Sequence, residues 1–118
     1  MSMEKLKESM EQVAVEELQR ANAAFPLFNS KHEGYAVIKE ELEETREAME
    51  TLEESVAALW DKVRGKDIPP FIVNFSTTEE MYNQALAVAA EAIQTAAMIL
   101  KYDLSLSGKE ESEGTENE

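Results

Sequence analysis

The chain has 118 residues, a single histidine, no cysteine and a formal net charge of −14. That charge disfavours broad contact with a nucleic-acid backbone or an anionic membrane. The lack of cysteine excludes disulfides and thiolate metal sites, and the length suits one domain or one protomer of a helical assembly.

The N-terminal stretch MSMEKLKESM is charged and amphipathic, unlike a signal peptide. No apolar run reaches the length a bilayer span needs, so a cytoplasmic location is expected. A first helix is predicted over Met3 to Ala24, capped by Ser2, with Leu6, Met10, Val13, Ala14, Leu18 and Ala21 at helical spacing. Phe25-Pro26-Leu27-Phe28 ends it, because proline disfavours helix in the residue before it.

The second helix opens on a capping box, Ser30-Lys31-His32-Glu33, in which each side chain can satisfy the other's exposed amide. His32 is expected at the surface of this turn. A seam follows: Tyr35, Ile38, Leu42, Thr45, Met49, Leu52, Val56, Leu59, Val63. Its steps alternate three and four, as in a coiled coil or bundle, and Gly65 is the predicted stop. A helix of about 50 Å is too long for one short neighbour to cover, so a partner chain is expected. The connection that follows holds Pro69-Pro70 and the apolar run Phe71-Ile72-Val73.

The third helix is predicted from Ser76-Thr77-Thr78-Glu79-Glu80, a second capping-box pattern, to about Tyr102. Its body, Ala85 to Leu100, is small or apolar almost all round, the composition of a buried helix. From Ser105 the sequence SLSGKEESEGTENE cannot bury enough apolar surface to offset its ordering entropy. Residues 1–104 are therefore predicted as the domain and 105–118 as a disordered acidic tail. The fold expected is all-α, a helix bundle with a long central second helix and a buried third.

One acid, Glu91, stands inside the apolar third helix, with Gln94 one turn on. An ionised carboxylate there needs a partner; Arg46 or Lys39 would serve, and so would a metal. On the second helix Glu41 and Glu44 fall beside the seam, Glu40 slightly further out and Glu43 towards solvent. Gly34 and Ala48 share the Glu41 side and leave space above the carboxylates. Packing the two helices together brings Glu41, Glu44 and Glu91 into one pocket, where repulsion favours either protonation or a divalent cation. An oxygen-only set fits Mg²⁺ or Mn²⁺, with the Gln94 amide oxygen as a neutral fourth ligand.

Glu40-Glu41-x-x-Glu44 followed by Glu91-x-x-Gln94 resembles the EExxE…ExxD signature of the all-α, MazG-like nucleoside triphosphate pyrophosphohydrolases, relatives of the dimeric dUTPases. The approach His32-Glu33-Gly34-Tyr35-Ala36-Val37-Ile38 and the stretch Ala96-Ala97-Met98 are similar to short phage-type or bacterial members, so the resemblance covers Phe25 to Lys101. It implies Mg²⁺-dependent hydrolysis of a nucleoside triphosphate to the monophosphate and pyrophosphate. It also implies Glu41, Glu44 and Glu91 as metal ligands, Glu40 as a group that supports the ligands from behind or helps orient the attacking water, and a homodimer or homotetramer. Gln94 departs from the signature's aspartate, and the gap between the motifs is longer than usual. For the phosphates Lys101 is the first candidate cation, with Lys62, Arg64 and Lys66 behind it. Tyr35, Phe28 or Trp60 offers a face for a base. The competing expectation is a non-catalytic helical oligomer that binds without turnover.

Overall fold

A computed structural model describes residues 2–24, 27–65 and 77–113, the last seven of these as backbone. Three helices account for nearly all of it: α1 (Met3–Ala24), α2 (Lys31–Val63) and α3 (Thr78–Glu113). No strand occurs among the described residues. The fold is all-α, as expected. Phe25, Pro26, the connection 66–76 with its proline pair and apolar run, Lys66, and residues 114–118 lie outside the described residues.

Each helix starts where side chains satisfy its first amides. The Ser2 hydroxyl accepts from Lys5 N at 3.1 Å. Ser30, in extended backbone, caps α2 by accepting from Glu33 N at 3.0 Å. The Glu33 carboxylate does not return to Ser30; it accepts from the Asn29 amide at 2.6 Å, one residue earlier. At α3 the reciprocal box is Thr77 with Glu80, Glu80 N donating to Thr77 Oγ1 at 3.0 Å and Thr77 N to Glu80 Oε1 at 2.7 Å. Gly65 closes α2 with φ +74, a conformation that costs glycine little, and its amide reaches Lys62 O at 3.1 Å.

α3 is the middle helix. It packs on both α2 and α1, while α1 and α2 make no comparable contact, so the central place predicted for α2 belongs to α3. α2 and α3 run antiparallel: Gly34 meets Tyr102, Thr45 meets Thr95, and Phe28, before α2, meets Ser105. A compact core of Leu18, Phe28, Ala97 and Met98 joins the three, with Ala21, Val37, Ile38 and Tyr102 packed against it.

The structure departs from the sequence pattern along α3. α3 runs on to Glu113, past the end near Tyr102 that its apolar pattern suggests. Ser105, assigned to the tail, is buried; its hydroxyl accepts from the Phe28 amide at 2.9 Å and donates to Lys101 O at 2.8 Å. Nor is α3 buried all round: Tyr82, Leu86 and Ile99 are at least half exposed, because α1 covers one flank only. Its segment Thr78–Leu106 is long and apolar enough, by length and composition only, to cross a membrane, a test that the core helix of a soluble protein also passes.

Candidate metal centre

The α2–α3 contact brings together the three acids that the sequence singled out. Glu41 and Glu44 stand three residues apart on α2, so helical geometry sets them on one side, and Glu91 faces them from α3. One carboxylate oxygen from each lies within 4.8 Å of the others. Glu41 and Glu91 are half-buried and Glu44 is exposed.

One turn further along each helix sits a threonine, and the two hydroxyl oxygens meet at 3.2 Å. Thr45 Oγ1 donates to Glu41 O and Thr95 Oγ1 to Glu91 O, both at 3.0 Å. The residues carrying two of the cluster carboxylates are thus held by a polar contact that fixes the helix register. Thr45 was legible only as a seam position, and nothing in the sequence pointed to Thr95.

The electrostatics follow from the crowding. Desolvation raises the Glu41 carboxyl above its ordinary value of 4.5, and the charges of Glu44, Glu91 and Glu40 add to it. Glu44 is raised by desolvation, then by Glu91 and Glu40, and by a hydrogen bond shared with the Glu91 side chain. Among the described residues no lysine or arginine forms an ion pair with any of the three. Lys39, one partner considered for Glu91, pairs with Glu43 at 3.4 Å instead. Glu40 is exposed on the rim, close enough for its charge to act on Glu41 and Glu44.

The donor set fits a hard divalent cation: oxygen only, anionic, from two rigid helices, with one member open to solvent. Three protein oxygens would leave the remaining positions of an octahedral ion for water or another oxygen ligand. Glu41, Glu44 and Glu91 would hold it.

The other expected site residues are placed differently. Gln94 uses its amide nitrogen on Glu17 Oε2, at 2.7 Å, and Glu17 also pairs with Arg20, so a polar chain ties α1 to α3. Glu17 was not singled out in the sequence; the bond joins residues 77 positions apart. Lys101 is 4% exposed, with its ammonium 4.8 Å from the Phe28 ring centre. It lines a cleft of about 420 Å³ with Val37, Met98 and Glu33. Ten residues separate it from Glu91, about 15 Å along the helix. Tyr35 and Trp60 are well exposed, and Arg64 is held by Asp61 at 2.9 Å. Gly34, expected among the small residues beside the carboxylates, packs against Tyr102: a Cβ there would overlap its ring.

No protein-family model, curated protein or solved structure matches the chain.

Proposed function

We propose that the protein is a Mg²⁺- or Mn²⁺-dependent nucleoside triphosphate pyrophosphohydrolase, releasing pyrophosphate and leaving the nucleoside monophosphate. The observation that carries this reading is the convergence of Glu41, Glu44 and Glu91 within 4.8 Å, with no cationic partner among the described residues. The resemblance of the EExxE and ExxQ spacings supports the reaction class.

The bound ion would neutralise phosphate charge and lower the pKa of a coordinated water. The chain's own part is positional. Glu41 and Glu91, half-buried, hold their oxygens at fixed places on two helices, and the Thr45–Thr95 contact keeps those helices in register. Glu44 faces solvent and leaves the open side through which a triphosphate can approach. Glu40, exposed on the same rim, would help orient the attacking water.

The test is release of pyrophosphate from a panel of nucleoside triphosphates with Mg²⁺ or Mn²⁺. Glu41→Gln and Glu91→Gln should each abolish it while helicity is retained. Activity that survives in both variants overturns the assignment.

A second reading, a helical oligomer that binds without turnover, draws on the engagement of Gln94 with Glu17. The amide stands where the signature has an acid, and its nitrogen is committed to α1. Gln94→Asp separates the two readings: it should raise turnover in a working enzyme and leave an inert binder inert.

A further inference from the structure

The cleft beside Lys101 encloses about 420 Å³, the size of a small-molecule site, and its lining is of that kind, apolar walls with a few polar groups. Ala21 of α1, Val37 of α2 and Met98 of α3 supply apolar surface, and Lys101 and Glu33 supply charge. Lys101 is 4% exposed, so packing sets the place of its ammonium. The Glu33 carboxylate accepts from the Asn29 amide through one oxygen and has a second.

The cleft and the carboxylate cluster share one groove. On α2, Val37 stands one turn before Glu41 and two before Glu44, on the same side. On α3, Met98 stands two turns after Glu91, again on the same side. On α1, Ala21 is one turn after Glu17, whose bond to Gln94 sets α1 against α3 between the two places. α1 makes no comparable contact with α2, so the groove between them stays open above α3. Seven residues of α3 separate the cleft from the carboxylates, about 10 Å along the helix.

We propose that this cleft seats the base of a nucleoside whose phosphates lie at the carboxylate cluster. The choice of a nucleotide rests on the proposed hydrolysis; the shape and chemistry of the cleft do not. The spacing leaves room for the sugar and a phosphate between a metal-held phosphate and the base. A base has two apolar faces and an edge that carries both acceptors and N–H donors. Val37 and Met98 suit the faces. The lysine only donates and the carboxylate accepts, so Lys101 and Glu33 together suit the edge. A phosphate is the poorer occupant, because Glu33 repels it and Lys101 stands about 15 Å from Glu91 along the helix. Lys101 is thereby a specificity residue, not the phosphate cation that helical spacing suggested.

The test uses the full chain with labelled methionine methyl groups, the Met98 signal being identified by Met98→Leu. Adenosine, guanosine, cytidine and uridine are added at millimolar concentration, without phosphate or metal. At least one should shift the Met98 signal, and Lys101→Met should weaken that binding at least tenfold. Inorganic triphosphate with Mg²⁺ should leave the signal in place. In the hydrolysis assay, Ala21→Leu narrows the cleft from the α1 side and should raise KM at least tenfold with kcat within twofold. Glu41→Gln, which removes a metal ligand, should bind the nucleoside as the parent does. If pyrophosphate is never released but a nucleoside shifts Met98, the cleft assignment stands and the hydrolysis falls. If pyrophosphate is released while no nucleoside moves Met98, the cleft assignment is overturned and the hydrolysis stands. A Met98 shift with inorganic triphosphate alone also overturns it, since Lys101 would then serve the phosphates.

Discussion

The hydroxyl oxygens of Thr45 and Thr95 lie 3.2 Å apart where α2 crosses α3. Each also reaches a backbone carbonyl one turn back, that of Glu41 or Glu91, at 3.0 Å. Two hydroxyl protons therefore serve three contacts. A slip of α3 by one residue would move Glu91 about 1.5 Å along the axis and 100° around it, which would open the carboxylate cluster. The threonine pair opposes that slip.

Thr45→Val and Thr95→Val test this contact, since valine keeps the branched shape and removes only the hydroxyl. Each single change should cost about 1 kcal/mol in urea unfolding. The double variant should lose less than the sum, because neither site then keeps a polar atom facing an apolar one. Strict additivity would show that the two hydroxyls are energetically independent.

The features legible in the sequence are those set by local chemistry. Ser30, Thr77 and Gly65 fix helix ends through groups a few residues away, so their roles follow from order alone. Glu41 and Glu44 share a side through helical spacing, and Glu91 stood out as the lone acid in an apolar run. What could not be read depends on contacts remote in sequence. Gln94 is tied to Glu17, and Ser105 to Phe28, each across 77 positions. Lys101 lies towards the Phe28 ring, where a helical wheel alone suggested the carboxylate side. The packing of Tyr102 against Gly34 joins residues 34 and 102 across the helix pair and could not be read from order alone.

Gly34→Ala should destabilise the fold. Alanine favours a helix by about 1 kcal/mol over glycine, but the added methyl would meet Tyr102 at 2.3 and 2.8 Å and Phe28 at 3.1 Å. Overpacking of this kind costs about 1–3 kcal/mol, and the steric side wins because the Tyr102 ring is packed against the core. In a Tyr102→Ala background the same substitution should be neutral or stabilising. An unfolding midpoint unchanged or raised by Gly34→Ala in the parent chain would refute the close approach.

The carboxylate cluster predicts an unusual pH response without metal. The folded state holds the protons of Glu41 and Glu44 more tightly than an ordinary glutamate at 4.5, through desolvation and the neighbouring acids. The stability these groups contribute is fully present below that pH and is lost as pH rises through their raised values. Melting temperature in the presence of EDTA should therefore fall over this interval more steeply for the parent than for Glu41→Gln. Millimolar Mg²⁺ should raise it at neutral pH in the parent and not in the variant. Equal slopes, or an equal response to Mg²⁺, would show that the three acids do not act as one site.

Ser105 carries the last prediction, because it decides where the folded unit ends. Its hydroxyl is the acceptor for the Phe28 amide, and both residues are buried. Ser105→Ala removes the acceptor and leaves a backbone N–H without water or protein to bond, at a cost of about 1–3 kcal/mol. Ser105→Thr keeps the oxygen and should recover part of that loss. Amide exchange at Phe28 should speed up in the alanine variant while exchange in the middle of α2 keeps its protection. A chain ended after Leu104 should lose at least as much stability as Ser105→Ala, since it lacks the same hydroxyl and the final turns of α3 as well. If that shortened chain unfolds at the same urea concentration as the parent, the bond between Phe28 and Ser105 does not hold the start of α2 to α3.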